Sequence, residues 1–236
     1  MAKNLNKNNL WSSMIRYRRQ YNFLFFLVSI ILLIVFSPYL QFGVISSIIL
    51  IFLVVFVLLA GINSISDNRL HLIIACILGA PWIVTSISTT LAGKLEPEFY
   101  EAFFGCLFFI FTTVIIFSHI LKDKKVTSNT LYGSICVYLL IGLTWTFFYV
   151  LVFNMIPNSF YINPQNNLDN VIRWNDLTYY SFVTLTTLGY GDITPVTSQA
   201  RSLAYLEAIV GQIYLTIIIA RLVGLYMSGA FVAEQK

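Results

Sequence analysis

Thr187-Leu188-Gly189-Tyr190-Gly191-Asp192 is the stretch of this sequence whose residue types and spacing point to a definite chemistry. Its first five residues include no carboxylate, imidazole or thiol, so the usable groups are backbone carbonyls, with the Thr187 hydroxyl beside them. Turning successive carbonyls to one side requires a backbone that alternates in handedness. Glycine adopts positive φ without a Cβ penalty, which accounts for Gly189 and Gly191. Stacked carbonyls, with the Thr187 hydroxyl as an innermost ring, can cage a dehydrated cation the size of potassium.

Such a path must be held at depth in a membrane. The residues from Asp176 to Thr186 are amphiphilic and suit a short helix, with Asn175 or Asp176 as N-cap. The helix is too short to cross a bilayer, so it dips in and returns. Bare backbone at that depth costs several kcal/mol per unpaired group unless it lines an ion path. The negative C-terminal end of the short helix would favour a cation at the pore centre.

The composition supports a lipid setting. Of 236 residues, 58% are hydrophobic and only 10% charged. The apolar residues come in long blocks, unlike the core-and-surface pattern of a soluble domain. Crossing takes roughly 20 helical residues. Six stretches are expected to span: 21–40, 42–62, 70–91, 102–121, 131–156 and 201–228. The first follows Arg16, Arg18 and Arg19 and is too long for a signal-peptide core, so it reads as an uncleaved anchor. With the N-terminus inside, Lys3, Lys7, Arg16, Arg18, Arg19, Arg69, Lys122, Lys124, Lys125 and Lys236 lie on the cytoplasmic side, with Arg221 near it. Only Lys94, Arg173 and Arg201 fall outside, which sets both termini in the cytoplasm of a cell-membrane protein. The outer loop 92–101 is acidic through Glu96, Glu98 and Glu101, and Asn158–Asn170 reads as a further exposed loop. The expected fold class is an all-α membrane protein with six transmembrane helices plus a re-entrant pore helix and filter loop. Residues 1–127 make a four-helix module and 128–236 a pore module.

Thr186-Thr187-Leu188-Gly189-Tyr190-Gly191-Asp192 resembles the signature of the potassium-channel family, whose filter is commonly Thr-Val-Gly-Tyr-Gly-Asp. Leu188 replaces the usual Val. The resemblance covers roughly residues 131–228, and the first four spans only as a count. It implies a homotetramer, because one chain supplies one quarter of the filter. It implies passive, selective flow of potassium ions held at Thr187, Leu188, Gly189 and Tyr190, with Gly191 completing the filter and no other cofactor. Membrane lipid is the remaining partner. Tyr179 and Tyr180 stand where the family has an aromatic cuff, with ordinary pore-helix packing as the alternative, and Tyr190 would point outward into that cuff. Asp192 is expected to bond Tyr179 at the outer mouth. Val183 stands where some members carry a carboxylate that pairs with that aspartate.

Glu207 is a carboxyl inside the last span, and such groups usually have partners. It is expected to pack behind the filter against Thr184 or Thr186, or else to sit at the interface. Gly211 is a hinge or a close-packing residue. Helical spacing turns Gln212, Leu215, Thr216, Ile219 and Val223 towards a cavity. Ile219 and Val223 are candidate apolar gate rings, with bundle packing as the alternative. Arg201 and Arg221 read as interface anchors.

A voltage sensor of this family carries Arg or Lys at every third position of its fourth helix. Ala102–Leu121 has none and no acid either. Each charge crossing the field is worth about 2.3 kcal/mol per 100 mV, so voltage dependence should be weak. His71 and His119 are pH sensors or ordinary interfacial residues. Cys76, Cys106 and Cys136 lack metal-ligand spacing and read as small buried hydrophobes. With a short tail after Met227, no ligand-gating domain is expected. No basic patch interleaved with exposed aromatics points to nucleic acid. No metal or nucleophile constellation points to an enzyme. Other expectations to weigh are a subunit of a potassium uptake transporter and a non-conducting accessory subunit.

Overall fold

In lipid a helix satisfies every interior backbone group within its own segment, and these apolar runs take that form. The computed structural model describes residues 23–40, 44–65, 69–92, 99–163 and 171–234. Helix α1 covers 23–36 and tightens into a 3-10 turn at Ser37–Leu40. Then follow α2 (Val44–Ile65), α3 (Arg69–Leu91), α4 (Phe99–Lys122) and α5 (Ser128–Met155). The short α6 (Trp174–Leu185) and the long α7 (Ser198–Glu234) complete the helices. Five of these are long and apolar enough to cross a bilayer: α1 with its 3-10 turn, α3, α4, α5 and α7. Helix α2 has 22 residues by its backbone, and its described apolar stretch is the shorter Ile48–Ile62. The chain is thus an all-α multi-pass membrane protein.

Two short strands depart from the helical pattern. β1 (Phe160–Ile162) pairs antiparallel with β2 (Ile193–Pro195), in the register Tyr161 opposite Thr194. This corrects the expectation that all of Asn158–Asn170 is exposed loop. Phe160 is buried there, and residues 164–170 lie outside the described ones. So do Lys3, Lys7, Arg16, Arg18, Arg19, Lys94, Glu96, Glu98 and Lys236.

The buried apolar side chains form one cluster that runs from α1 through α7. Its centre is aromatic. Trp82 of α3 lies 5.2 Å from Phe109 of α4 and 6.0 Å from Phe147 of α5, whose ring is 4.6 Å from Trp174 at the start of α6. Helix α4 comes this close to α5 because Gly105 faces Phe147. A Cβ there would stand 2.3 Å from the ring. Helix α1 also lies against the later helices. The Phe23 N–H donates to Asn129 Oδ1 (3.3 Å) at one end, and Ser37 Oγ donates to Asn175 Oδ1 (3.0 Å) at the other. Cys106 and Cys136 are buried as expected, whereas Cys76 is exposed on the chain surface. His119 and His71 each stand edge-on to a ring, that of Phe23 and of Phe111 respectively.

Candidate functional site

The short helix starts two residues earlier than the sequence suggested. Its N-cap is Arg173, whose backbone N–H donates to Asp176 Oδ2 (2.7 Å). Neither Asn175 nor Asp176 is the cap itself. Asn175 is taken up by Ser37, and the acid at Asp176 sits in the first turn, where the helix dipole favours it. At the other end α6 closes in a Schellman arrangement. Thr187 N–H donates to Thr184 O (2.9 Å) and Leu188 N–H to Val183 O (2.9 Å). The residue in the left-handed position is Thr187, at φ 59°. Glycine usually fills that place, and a β-branched residue there is strained.

The turn then repeats its handedness. Thr187, Gly189 (φ 59°) and Gly191 (φ 76°) have positive φ, and Leu188 and Tyr190 between them do not. Gly189 N–H joins Leu188 N–H on Val183 O (3.3 Å). In a planar trans peptide the C=O points opposite to the N–H that follows it. With the N–H groups of 187, 188 and 189 aimed back at α6, the carbonyls of Thr186, Thr187 and Leu188 face away from it. No Cβ at Gly189 or Gly191 would touch anything within 4 Å, so the demand there is one of φ, not of space. Residues 186–191 are all exposed on the single chain, Tyr190 at 67%.

The exit of the turn is fastened on two sides. Tyr179 donates its hydroxyl to Asp192 Oδ2 (2.8 Å), the pairing expected from the sequence. Asn163, just past β1, donates its N–H to the Asp192 carbonyl (3.1 Å). Tyr180 points the other way, into the core, with its ring 4.9 Å from Tyr149 and 5.5 Å from Phe160. Tyr179 and Tyr180 therefore face different surroundings, one the mouth and one the protein interior. Val183 is buried on α6.

Behind the turn lies a polar cluster. Glu207 of α7 is 0% exposed, so it is no interfacial residue. Its partners are Ser181 Oγ (2.5 Å) and the Tyr149 hydroxyl, which donates to Oε2. They replace the expected Thr184 and Thr186; Thr186, the C-cap of α6, donates its hydroxyl back to Phe182 O (2.7 Å). Ser181 Oγ also lies 2.7 Å from Gly142 O, where α5 and α6 nearly touch. A Cβ at Gly142 would stand 2.7 Å from the Phe182 ring. One carboxyl thus joins α5, α6 and α7.

Helix α7 carries this cluster on a regular stripe. At about 100° per residue, Ala200, Glu207, Gly211, Tyr214, Ile218 and Arg221 share one face, and α7 turns that face to α5 and α6. Tyr214 donates to Ser134 O of α5 (2.6 Å). At Gly211 a Cβ would stand 2.5 Å from the Leu185 carbonyl oxygen, so close packing accounts for the glycine, and α7 runs through it without a break. Gln212, Thr216, Ile219 and Val223 lie on the opposite side and are exposed on the chain, Ile219 at 56% and Val223 at 55%, while Leu215 is half-buried. Arg201 donates Nε to Pro195 O (3.1 Å) beside β2. Arg221 Nη2 lies 2.5 Å from Leu121 O and 3.0 Å from Asp123 O, so it is a helix cap and not a simple interface anchor. The seven-residue spacing of Glu207, Tyr214 and Arg221 was the signal in the sequence for this stripe.

Residues 139–228 match a family model described as ion channel. The ion-channel match begins inside α5, takes in α6, the turn and β2, and runs far along α7. It leaves α1 to α4 outside. No curated protein and no solved structure matches the chain. Among the described residues no group of three or more His, Cys, Asp or Glu could hold a metal.

Proposed function

We propose that this chain is one subunit of a homotetrameric potassium-selective channel, with 187–191 as one quarter of its filter. One observation carries the reading. The N–H groups of 187–189 turn into α6, and positive φ recurs at 187, 189 and 191, which aims a run of carbonyls away from the protein body. Four such runs around an axis would present rings of oxygen at Thr187, Leu188, Gly189 and Tyr190 to a dehydrated potassium ion. The strained Thr187 fits the same purpose. A glycine would relieve the backbone but would remove the hydroxyl that closes the innermost site.

On this reading all six helices from α1 to α5 and α7 span the bilayer with both termini cytoplasmic, and α6 is re-entrant. Tyr179, Tyr180, Asp192 and Glu207 support the filter. Ile219 and Val223, on the face of α7 opposite the polar stripe, form apolar rings that close the pore by dewetting. Helix α4 carries no charge between Ala102 and Leu121, so the channel opens largely without regard to voltage. Purified chain in liposomes tests this. Potassium flux well above sodium flux, blocked by barium, is expected. Equal flux of the two ions, or none, would overturn the reading.

A further inference from the structure

Helix α4 ends at Lys122, and its last carbonyls have no partner further along the helix. They are met by a side chain from almost one hundred residues later. Arg221 Nη2 approaches Leu121 O (2.5 Å), Asp123 O (3.0 Å) and, at the edge of bonding range, Ile120 O (3.4 Å). A cation at the negative end of a helix is favourable, and a charged donor strengthens each bond. The guanidinium has not simply snorkelled to water, because its Nε is buried with no hydrogen-bond partner among the described residues.

The corner it holds is itself tied together. Asp123 Oδ2 accepts from Thr130 Oγ1 (2.6 Å), and Thr130 forms the capping box of α5 with Thr127. Arg221 therefore grips the end of α4 and the start of α5 as one piece. It lies on the polar stripe of α7, two turns beyond Tyr214 and opposite Ile219 and Val223.

We propose that Arg221 is a positioning residue that fastens the end of α4 to the pore-lining helix, so that the leading helices hold the lower half of α7 back from the pore axis. The proposal rests on the channel reading. Its consequence is directional. Releasing Arg221 lets Ile219 and Val223 approach the axis, and the closed state gains.

The test uses the full-length chain in planar bilayers, with hydrogen exchange measured on the same preparations. Arg221→Ala is expected to lower open probability about threefold or more, the scale of a mutation that breaks a coupling contact. Potassium-over-sodium selectivity should stay unchanged, and amide exchange over 120–126 should accelerate. Arg221→Lys keeps the charge with a shorter, single donor and should move both readouts part of the way; it carries the test if the alanine variant does not assemble. An open probability equal to wild type, with faster exchange at 120–126, reduces Arg221 to a structural cap and overturns the proposal. Unchanged exchange overturns the contact. Absence of potassium flux from the wild-type chain overturns the channel reading and the proposal together, whereas wild-type flux with an unaltered Arg221→Ala variant overturns the proposal alone.

Discussion

Helices α1 to α4 and helices α5 to α7 use their polar groups differently. In the first set the hydroxyls mostly bond back to their own helix. Ser29 donates to Phe26 O (2.7 Å), Thr112 to Phe108 O (2.8 Å) and Thr113 to Phe109 O (2.6 Å). Thr89 to Glu101 (2.8 Å), across α3 and α4, is an exception. The second set has such bonds too, as at Thr144 and Thr146, but adds polar groups that reach across. Tyr149 and Ser181 meet Glu207, Trp145 Nε1 donates to Leu203 O (3.1 Å), and Tyr214 donates to Ser134 O. Lipid supplies no hydrophobic drive between helices, so shape and hydrogen bonds decide how they associate. Ring packing holds the leading helices and tolerates exchange among apolar residues. Cross-helix bonds fix the register of the later ones, where a slip of one residue is a shift of about 1.5 Å. A carbonyl cage for a bare ion requires that second kind of precision.

This contrast is open to attack, and the sharpest attack is on Glu207. Glu207→Ala leaves the Tyr149 hydroxyl buried without its partner, at a cost of about 1–3 kcal/mol, while Ser181 keeps Gly142 O (2.7 Å) and loses its link to α7. Loss of the assembled oligomer on heating, together with loss of flux, is the expected outcome. Next comes a matched pair. Tyr149→Phe removes one cross-helix bond while keeping the ring, and should destabilise by about 1–3 kcal/mol. Thr112→Val removes a hydroxyl that bonds only its own helix, and should cost less than the tyrosine change. Equal losses in thermal melts of the two variants would erase the contrast. Tyr179→Phe is gentler, because its bond to Asp192 is exposed. Conductance should be kept while current declines faster under steady potassium, which recordings over seconds would reveal. The smallest effect expected is that of voltage. With no charge in the body of α4, a conductance–voltage curve in symmetric potassium should be nearly flat, and a steep curve would show that the leading helices do gating work by some other charge.

What the sequence made legible divides along the same line. The alternation of glycines announced the 187–191 turn, and the Tyr179–Asp192 pair followed from the resemblance of that stretch to the potassium-channel signature. Those features are local, written within one stretch of chain. The strand clasp of Phe160–Ile162 with Ile193–Pro195 was not legible, because three residues on each side carry no periodicity and the pairing joins segments some thirty residues apart. Glu207 was legible as an oddity but not in its partners. Ser181 and Tyr149 lie on two other helices, and which face of α6 meets α7 depends on the close approaches at Gly142 and Gly211. Arg221 looked like an interface anchor because a charged residue near the end of a span commonly is one. Only packing brings it to the carbonyls of α4. For the leading helices the sequence supplied spans and an absence of charge, and ring packing such as Gly105 against Phe147 leaves no motif to read.

The central claim is that the carbonyls of 187–191 discriminate between ions by size. A bi-ionic recording of the purified chain, with potassium on one side and sodium on the other, measures this directly. Each tenfold preference for one monovalent ion displaces the zero-current voltage by about 59 mV. A displacement of at least that size in the direction of potassium is the result this account predicts. A current that reverses near zero would contradict it.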